Sequence, residues 1–239
     1  PPVNAQESLG YALMKERIRV LLFTRNGDPR DYYEALGDNE ADLSLAQTYG
    51  RGLSQLYGNE AGKAVITFLR LRQQYPEVMA FHTALGQAQL ATGRTPEALG
   101  TLEHALELAP RNVPVTVRYG EALLQAGRAK RAHEVLLDLF NNVPPTQEQI
   151  RLTAMAANAA GDVADAYSYM AEYHLMGGDL MLAINQLELA LSVPGITDQQ
   201  RSKFVARLKE VRGWLPKERN RSKQPQDGER SPDSQRSPG

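Results

Sequence analysis

A block of glycines, alanines, leucines and a proline returns after 34 positions in the middle of this chain. Residues 85–110 and 119–144 carry the same residue types at the same offsets. The recurring pairs are Gly86/Gly120, Ala88/Ala122, Leu90/Leu124, Gly93/Gly127, Arg94/Arg128, Ala98/Ala132, Leu102/Leu136 and Pro110/Pro144. A fixed internal period predicts stacked copies of one small unit, because a single unit of this size cannot bury its apolar face alone.

Each copy contains two runs of apolar residues at helical spacing, which are separated by a glycine and closed by a proline. For the first copy we predict a helix over residues 80–92, a turn at Gly93 and a second helix over residues 95–109. Gly86 and Ala98 are expected to face each other, since large side chains there would push two antiparallel helices beyond their usual separation of about 8–10 Å.

A unit of 34 residues with two helices is the signature of tetratricopeptide repeats, and the small and apolar positions of this chain resemble that family. The predicted fold class is all-α, a right-handed superhelical solenoid of tetratricopeptide-type helical hairpins with about twelve helices. The structural repeat positions are Gly52, Ala64, Phe68, Gly86, Gly93, Ala98, Pro110, Gly120, Gly127, Ala132 and Pro144. Looser units are expected further along, with turns at Gly161-Asp162 and Gly178-Asp179.

Three parts are expected along the chain. Residues 1–38 form N-terminal helices that link to a missing upstream domain, residues 39–215 form the repeat domain, and residues 216–239 form a disordered polar tail. The tail is predicted to be disordered because residues 217–239 contain no aliphatic or aromatic side chain to offset the entropy of ordering. Four charged residues interrupt the apolar run at 12–23, which predicts an amphipathic helix and not a membrane span.

The residues that could hold a metal are few and badly spaced. The chain contains no cysteine, which excludes disulfides, thiolate metal sites and cysteine nucleophiles. A zinc peptidase helix needs two histidines four residues apart, but Leu137 stands four residues after His133. The histidines are His82, His104, His133 and His174. We therefore predict no metal and no cofactor in this chain.

Other catalytic patterns are also missing from the sequence. Paired carboxylates such as Asp162 and Asp165 lie at predicted helix starts, where the helix dipole favours anions without any catalytic role. No glycine-rich phosphate loop follows a predicted strand, and no serine lies in a nucleophile elbow. The net charge is −1 with no clustered basic face, so a nucleic-acid surface is not expected. The sequence indicates a binding protein, not an enzyme.

Repeat solenoids bind partners mainly through a concave surface, which we expect the first helix of each unit to line. The predicted partner-binding residues are Tyr49, Leu53, Tyr57, Thr83, Gln87, Leu90, Val117, Glu121, Leu124, Arg151, Met155 and Asn158. For each of them the alternative is packing against a neighbouring unit or a covering segment. Some members of this family clamp a peptide carboxylate with Lys and Asn, and that clamp is expected to be absent here. The corresponding positions hold Thr83, Gln87, Val117 and Glu121.

The order of segments carries a second and closer resemblance. It is formed by the strings YALMKERIRVLLF, YGRGLSQLYGN, LTAMAANAAGD, AEYHLMGGDLMLAINQLELAL and RSKFVARLKEVRGWL. This layout resembles the C-terminal repeat domain of the periplasmic beta-barrel assembly-enhancing proteases of Gram-negative bacteria, which are zinc metalloproteases. The resemblance covers roughly residues 10–215, and the closing helical pattern is its most particular part.

That resemblance implies a periplasmic, non-catalytic interaction domain of a zinc metalloprotease. The zinc-binding HExxH domain of such proteins is absent from this chain, so zinc is expected only there and no catalytic residue carries over. The implied partners are the outer-membrane beta-barrel assembly machinery, misassembled barrel substrates and the protein's own protease domain. No nucleic acid and no transmembrane segment are expected. The alternative is a tetratricopeptide scaffold of another cell-envelope biogenesis or secretion complex.

Overall fold

The computed structural model describes residues 5–37 and 42–215, and within these residues it contains twelve helices and no strand. The helices are α1 (Ala5–Asn26), α2 (Arg30–Glu34), α3 (Leu45–Tyr57), α4 (Ala61–Gln74), α5 (Met79–Ala91), α6 (Thr95–Leu108), α7 (Val113–Gln125), α8 (Ala129–Asn142), α9 (Gln147–Ala160), α10 (Val163–Met176), α11 (Leu180–Ser192) and α12 (Asp198–Gly213). The predicted all-α solenoid of helical hairpins is confirmed. The predicted boundary at residues 38/39 and the predicted tail over residues 216–239 lie outside the described residues.

The turn inside each regular unit needs backbone in the left-handed region, which glycine adopts without strain. Gly93 and Gly127 have φ angles of 73° and 71°. The N–H of Arg94, which follows the first of these glycines, donates to the carbonyl of Gln89 at 2.8 Å and so closes the turn. This local geometry returns the chain antiparallel to the helix that it has just left.

The two helices of a hairpin approach closely because a glycine on the first faces a large side chain on the second. A Cβ built on Gly86 would lie 2.7 Å from the nearest atom of Leu102, and one on Gly120 would lie 2.9 Å from Leu136. Leu102, one helical turn after the predicted partner Ala98, supplies the atoms nearest to Gly86, and the Gly86–Ala98 contact stays a prediction. Helical side chains lean towards the N-terminus of their helix, so Leu102 covers the surface next to Gly86 from a position further along.

Successive hairpins stack with their first helices on one side. Helix α3 contacts α5, α5 contacts α7, and α7 contacts α9. The second helices α4, α6 and α8 lie further from one another. Because the helices are closer on one side of the stack, the stack curves towards that side. The first helices α3, α5, α7 and α9 therefore form its concave surface.

After α9 the pattern of small and apolar residues is shifted by half of the 34-residue period. The series Gly86, Gly93, Ala98, Leu102 and Ala105 returns 85 residues later, which is two and a half periods, as Ala171, Gly178, Ala183, Leu187 and Ala190. Accordingly α10 contacts α12, as first helices of adjacent units do, and it also packs against both α9 and α11. Helix α10 is thus the second helix of one hairpin and the first helix of the next.

Replacing Gly86 by alanine is expected to destabilise the protein by about 1–3 kcal/mol, because the added methyl group would collide with Leu102. Gly100 is a matched control, since it lies in α6 and a Cβ built on it has nothing within 4 Å. Gly100→Ala should leave stability unchanged or raise it by up to about 1 kcal/mol. Urea unfolding followed by circular dichroism measures both free energies, and equal effects would contradict the proposed spacing role.

Candidate protein-binding surface

The predicted partner-binding residues divide by their exposure. Three lie in the core, namely Tyr49 (2% exposed), Leu53 (0%) and Thr83 (4%). Half-buried side chains along the concave surface are Tyr57, Gln87, Leu90, Val117, Glu121 and Leu124. Exposed side chains on α9 are Arg151, Met155 and Asn158. Nine of the twelve are therefore accessible, and their contact with a partner stays a prediction.

Tyr49 is buried because the N-terminal helix covers the first unit. Helix α1 packs against α3, and Arg17 of α1 donates to the Tyr49 hydroxyl at 3.4 Å. The Tyr49 ring lies 5.9 Å from the Phe68 ring and 5.7 Å from the Phe81 ring, centroid to centroid. Burial raises the pKa of its hydroxyl. Tyr49 thus joins four helices, and with Leu53 it belongs to the core and not to the accessible surface.

Thr83 is buried, and its hydroxyl is satisfied within its own helix. Its hydroxyl donates to the carbonyl of Met79, one turn earlier in α5, at 2.8 Å. A threonine whose oxygen returns to the helix backbone in this way presents little polar surface to a partner. The accessible part of α5 is therefore formed by Gln87 and Leu90.

The centre of the concave surface combines polar and apolar side chains. Gln87 Nε2 donates to the Tyr57 hydroxyl at 3.3 Å, which links α5 to α3. Within the described residues, Gln87 Oε1 is buried and has no hydrogen-bond partner. On α7, Arg118 pairs with Glu121 at 2.6 Å. Sequence reasoning missed this arginine, although its position three residues before a glutamate on a helix is a recognisable signal.

The far end of the surface contains an apolar groove of about 250 Å³, where α9 and α11 flank α10. We call it the α10 groove, and it is lined by Ala154, Met155, Asn158, Val163, Ala166, Tyr167, Met170 and Gln186. None of these side chains is charged. Sequence reasoning identified Met155 and Asn158 but missed Tyr167 and Met170. Two turn glycines 17 residues apart, Gly161 and Gly178, were the signal that could have found them.

His133, the residue considered for a zinc motif, is 8% exposed and forms a hydrogen-bonded chain instead. Its Nδ1 lies 2.9 Å from Asp162 Oδ2, and its Nε2 lies 3.2 Å from the Tyr169 hydroxyl. Because a carboxylate can only accept, Nδ1 carries the proton and the tyrosine donates to Nε2. Burial and the nearby Asp165 and Asp162 carboxylates raise the pKa of Tyr169 to about 12. This chain of contacts ties α8 to the start of α10.

Two further features are absent from the part of the chain that the structure describes. No cluster of three or more histidine, aspartate or glutamate side chains there could hold a metal ion. No described helix has both the length and the apolar character that crossing a membrane requires.

Stacked two-helix units with this period and concave surface define a tetratricopeptide-repeat solenoid. Two tetratricopeptide-repeat family models match the sequence, one over residues 49–113 and one over residues 89–157. This part of the chain is a tetratricopeptide-repeat segment. A search of the curated proteins finds no match.

Solved structures of low sequence identity resemble the fold. MamA from Desulfovibrio magneticus RS-1 is 14% identical, covering 78% of this chain and 95% of its own, with a TM-score of 0.50. MamA of AMB-1 is 19% identical, covering 68% of this chain and 98% of its own, with a TM-score of 0.51. A tetratricopeptide protein of Thermus thermophilus is 20% identical, covering 82% of this chain and 99% of its own, with a TM-score of 0.46. At these identities the likeness to the two MamA structures shows the fold alone.

The burial of the His82 ring predicts that the folded protein loses stability in mild acid. His82 is 1% exposed, its Nε2–H donates to the Pro76 carbonyl at 2.7 Å, and its Nδ1 has no partner among the described residues. Burial lowers the pKa of His82, so folding disfavours its charged form. Below about pH 6.5, the pKa of an unfolded histidine, the unfolded chain takes up a proton at His82 more readily than the folded protein does. The contribution of His82 to the free energy of unfolding is therefore full above about pH 6.5 and is lost as the pH falls below it.

We therefore expect the free energy of unfolding of the wild-type protein to fall between pH 7 and pH 5 more than that of His82→Gln. The control is His174→Gln, since His174 lies on α10 and has no contact with His82. Urea unfolding at several pH values gives the comparison. The same slope for the wild type and His82→Gln would contradict the burial argument.

Proposed function

We propose that this chain is the non-catalytic protein-interaction domain of a periplasmic zinc metalloprotease, which recruits outer-membrane beta-barrel assembly machinery and misassembled barrel substrates. The observation that carries the interaction role is the row of accessible side chains along α3, α5, α7 and α9. Tetratricopeptide segments present such a row to protein partners. The closer identification is supported by the order of segments over roughly residues 10–215.

The concave surface suits a partner that alternates apolar and polar side chains. Leu90 and Leu124 offer apolar contact, while Gln87 and the Arg118–Glu121 pair offer hydrogen bonds. Unassembled strands of an outer-membrane barrel have this alternation, with apolar residues on one face and polar residues on the other.

In this proposal the catalytic zinc belongs to the protease domain, and this chain supplies no ligand for it. Its part is to hold assembly components and substrates close to that domain, either for completion of the barrel or for degradation. Binding at a second site on the same polypeptide raises the effective concentration of substrate at the protease without any new catalytic group.

Site-specific photocrosslinking tests the proposal with four leucines. A crosslinking residue at Leu90 or Leu124, on the first helices α5 and α7, should capture an outer-membrane barrel-assembly component or an unassembled barrel protein in Gram-negative cells. Leu108 and Leu137 are matched controls, because they are exposed on the second helices α6 and α8. Capture from the controls alone, or of cytosolic proteins alone, would contradict the proposal.

The alternative, a scaffold for another cell-envelope or secretion complex, is separated from the first proposal by the coding sequence upstream of Pro1. An HExxH segment there supports the protease assignment. A lipoprotein signal without such a segment supports the scaffold.

A further inference from the structure

The start of α5 is held differently from the starts of the other helices on the concave surface. Helices α3, α7 and α9 each follow a capping residue whose side chain accepts a hydrogen bond from a backbone N–H of the first turn. These capping residues are Ser44, Asn112 and Thr146. Helix α5 follows Val78, whose side chain makes no such bond. His82, one turn into α5, donates from Nε2 to the carbonyl of Pro76 at 2.7 Å and so holds the connection from α4.

We call the connection over residues 75–78, together with the first turn of α5, the α5 joint. Helix α5 also contains buried polar atoms that lack a partner. Within the described residues three buried side-chain atoms have no hydrogen-bond partner, and all three belong to this helix, namely His82 Nδ1, Gln87 Oε1 and Gln89 Oε1. Because a buried polar atom without a partner lowers stability, α5 is a weak element in the middle of the stack.

The groups around the His82 ring do not balance a positive charge. Helix α5 packs against α3, α4, α6 and α7. Among the described residues of these helices, the charged or titratable groups that act on His82 are Arg72 of α4 and His104 of α6. The His82 and His104 rings lie 6.2 Å apart, centroid to centroid. Burial is the largest cause of the lowered pKa of His82, and both neighbours lower the pKa further, while the bond to Pro76 opposes them.

The existing hydrogen bond determines where acid adds a proton. Because a carbonyl can only accept, Nε2 carries the proton of the neutral ring, and the second proton goes to Nδ1. Nδ1 is buried and has no acceptor among the described residues. The charged ring can gain hydration only by turning out of the core. That movement breaks the bond to Pro76 and releases the first turn of α5 from the connection.

From these observations we infer that the α5 joint is an acid-sensitive hinge, which opens in mild acid while the units on either side of it stay folded. In a stack of repeats each unit contacts mainly its neighbours, so a loss at one joint weakens that interface and leaves the others intact. The hydrogen bond between Gln87 of α5 and Tyr57 of α3 crosses this joint. Opening therefore divides the concave surface, with α3 on one side and α5, α7 and α9 on the other.

Hydrogen exchange followed by mass spectrometry locates such an opening along the chain. It is measured at pH 7.5 and pH 5.5, which lie on either side of about 6.5, the pKa of an unfolded histidine. Protection factors, corrected for the effect of pH on intrinsic exchange, are compared between the first turns of α5 and α9, which contains no histidine. In the wild type those of α5 should fall severalfold at the lower pH, with about tenfold as the upper limit. Those of α9 should stay constant.

One variant removes the titrating group, and a second serves as its control. His82→Gln keeps a side-chain N–H donor but takes up no proton, so its α5 should have the same protection factors at both pH values. His174→Gln removes a histidine from α10 and should behave like the wild type. Circular dichroism at pH 7.5 establishes that each variant is folded. The comparison of α5 with α9 needs only the wild-type chain, so it remains decisive if His82→Gln does not fold.

Three outcomes would overturn the inference. The first is a wild type in which the protection factors of α5 do not change between the two pH values. The second is an equal loss in α5 and α9, which would mean that acid lowers the stability of the whole fold without opening this joint. The third is a loss in α5 of His82→Gln as large as that of the wild type. Since the measurement contains no partner, it is independent of the crosslinks expected from Leu90.

Discussion

The rest of this structure depends on the contact between a small residue on the first helix of a hairpin and a large side chain sixteen positions later on the second. This contact recurs in three successive units, as Gly52/Phe68, Gly86/Leu102 and Gly120/Leu136. It lets the two helices of a unit approach closely, and the first helices of successive units then touch. The curvature of the stack, and with it the concave surface, follows from that spacing and not from any single strong bond.

Both ends of the solenoid depart from this regular packing, and each departure leaves apolar side chains exposed to solvent. At the N-terminal end α1 covers Tyr49 and Leu53 and turns an apolar ridge outward. At the C-terminal end the half-period displacement makes α10 serve two hairpins, which leaves a groove between α9 and α11. The contacts of His133 with Asp162 and Tyr169 hold α8 to the displaced part. The regular units between the ends supply the accessible row that we propose for partner binding.

The sequence predicted the hairpins well because their determinants are local and periodic. Turn glycines, helix-ending prolines and small residues at fixed offsets each act within one unit. The close approach of Leu102 to Gly86 was missed, since the period gives positions and not the direction in which a side chain leans. The sequence could not decide whether Tyr49 is buried or exposed, because its burial depends on α1, which lies outside the repeats. Tyr167 and Met170 were missed because they lie on α10. The 34-residue period makes α10 the second helix of its unit, which would lie on the convex side, but the half-period shift after α9 also makes it the first helix of the next hairpin.

The spacing claim is tested most directly by a double-mutant cycle on one small–large pair. Gly86→Ala adds a methyl group where Leu102 lies, and Leu102→Val removes one from the same contact. If this contact sets the helix separation, the double variant will be more stable than the sum of the two single effects predicts, by at least about 0.5 kcal/mol. Additive effects on the free energy of unfolding would show that the two side chains do not compete for space, and would contradict the account.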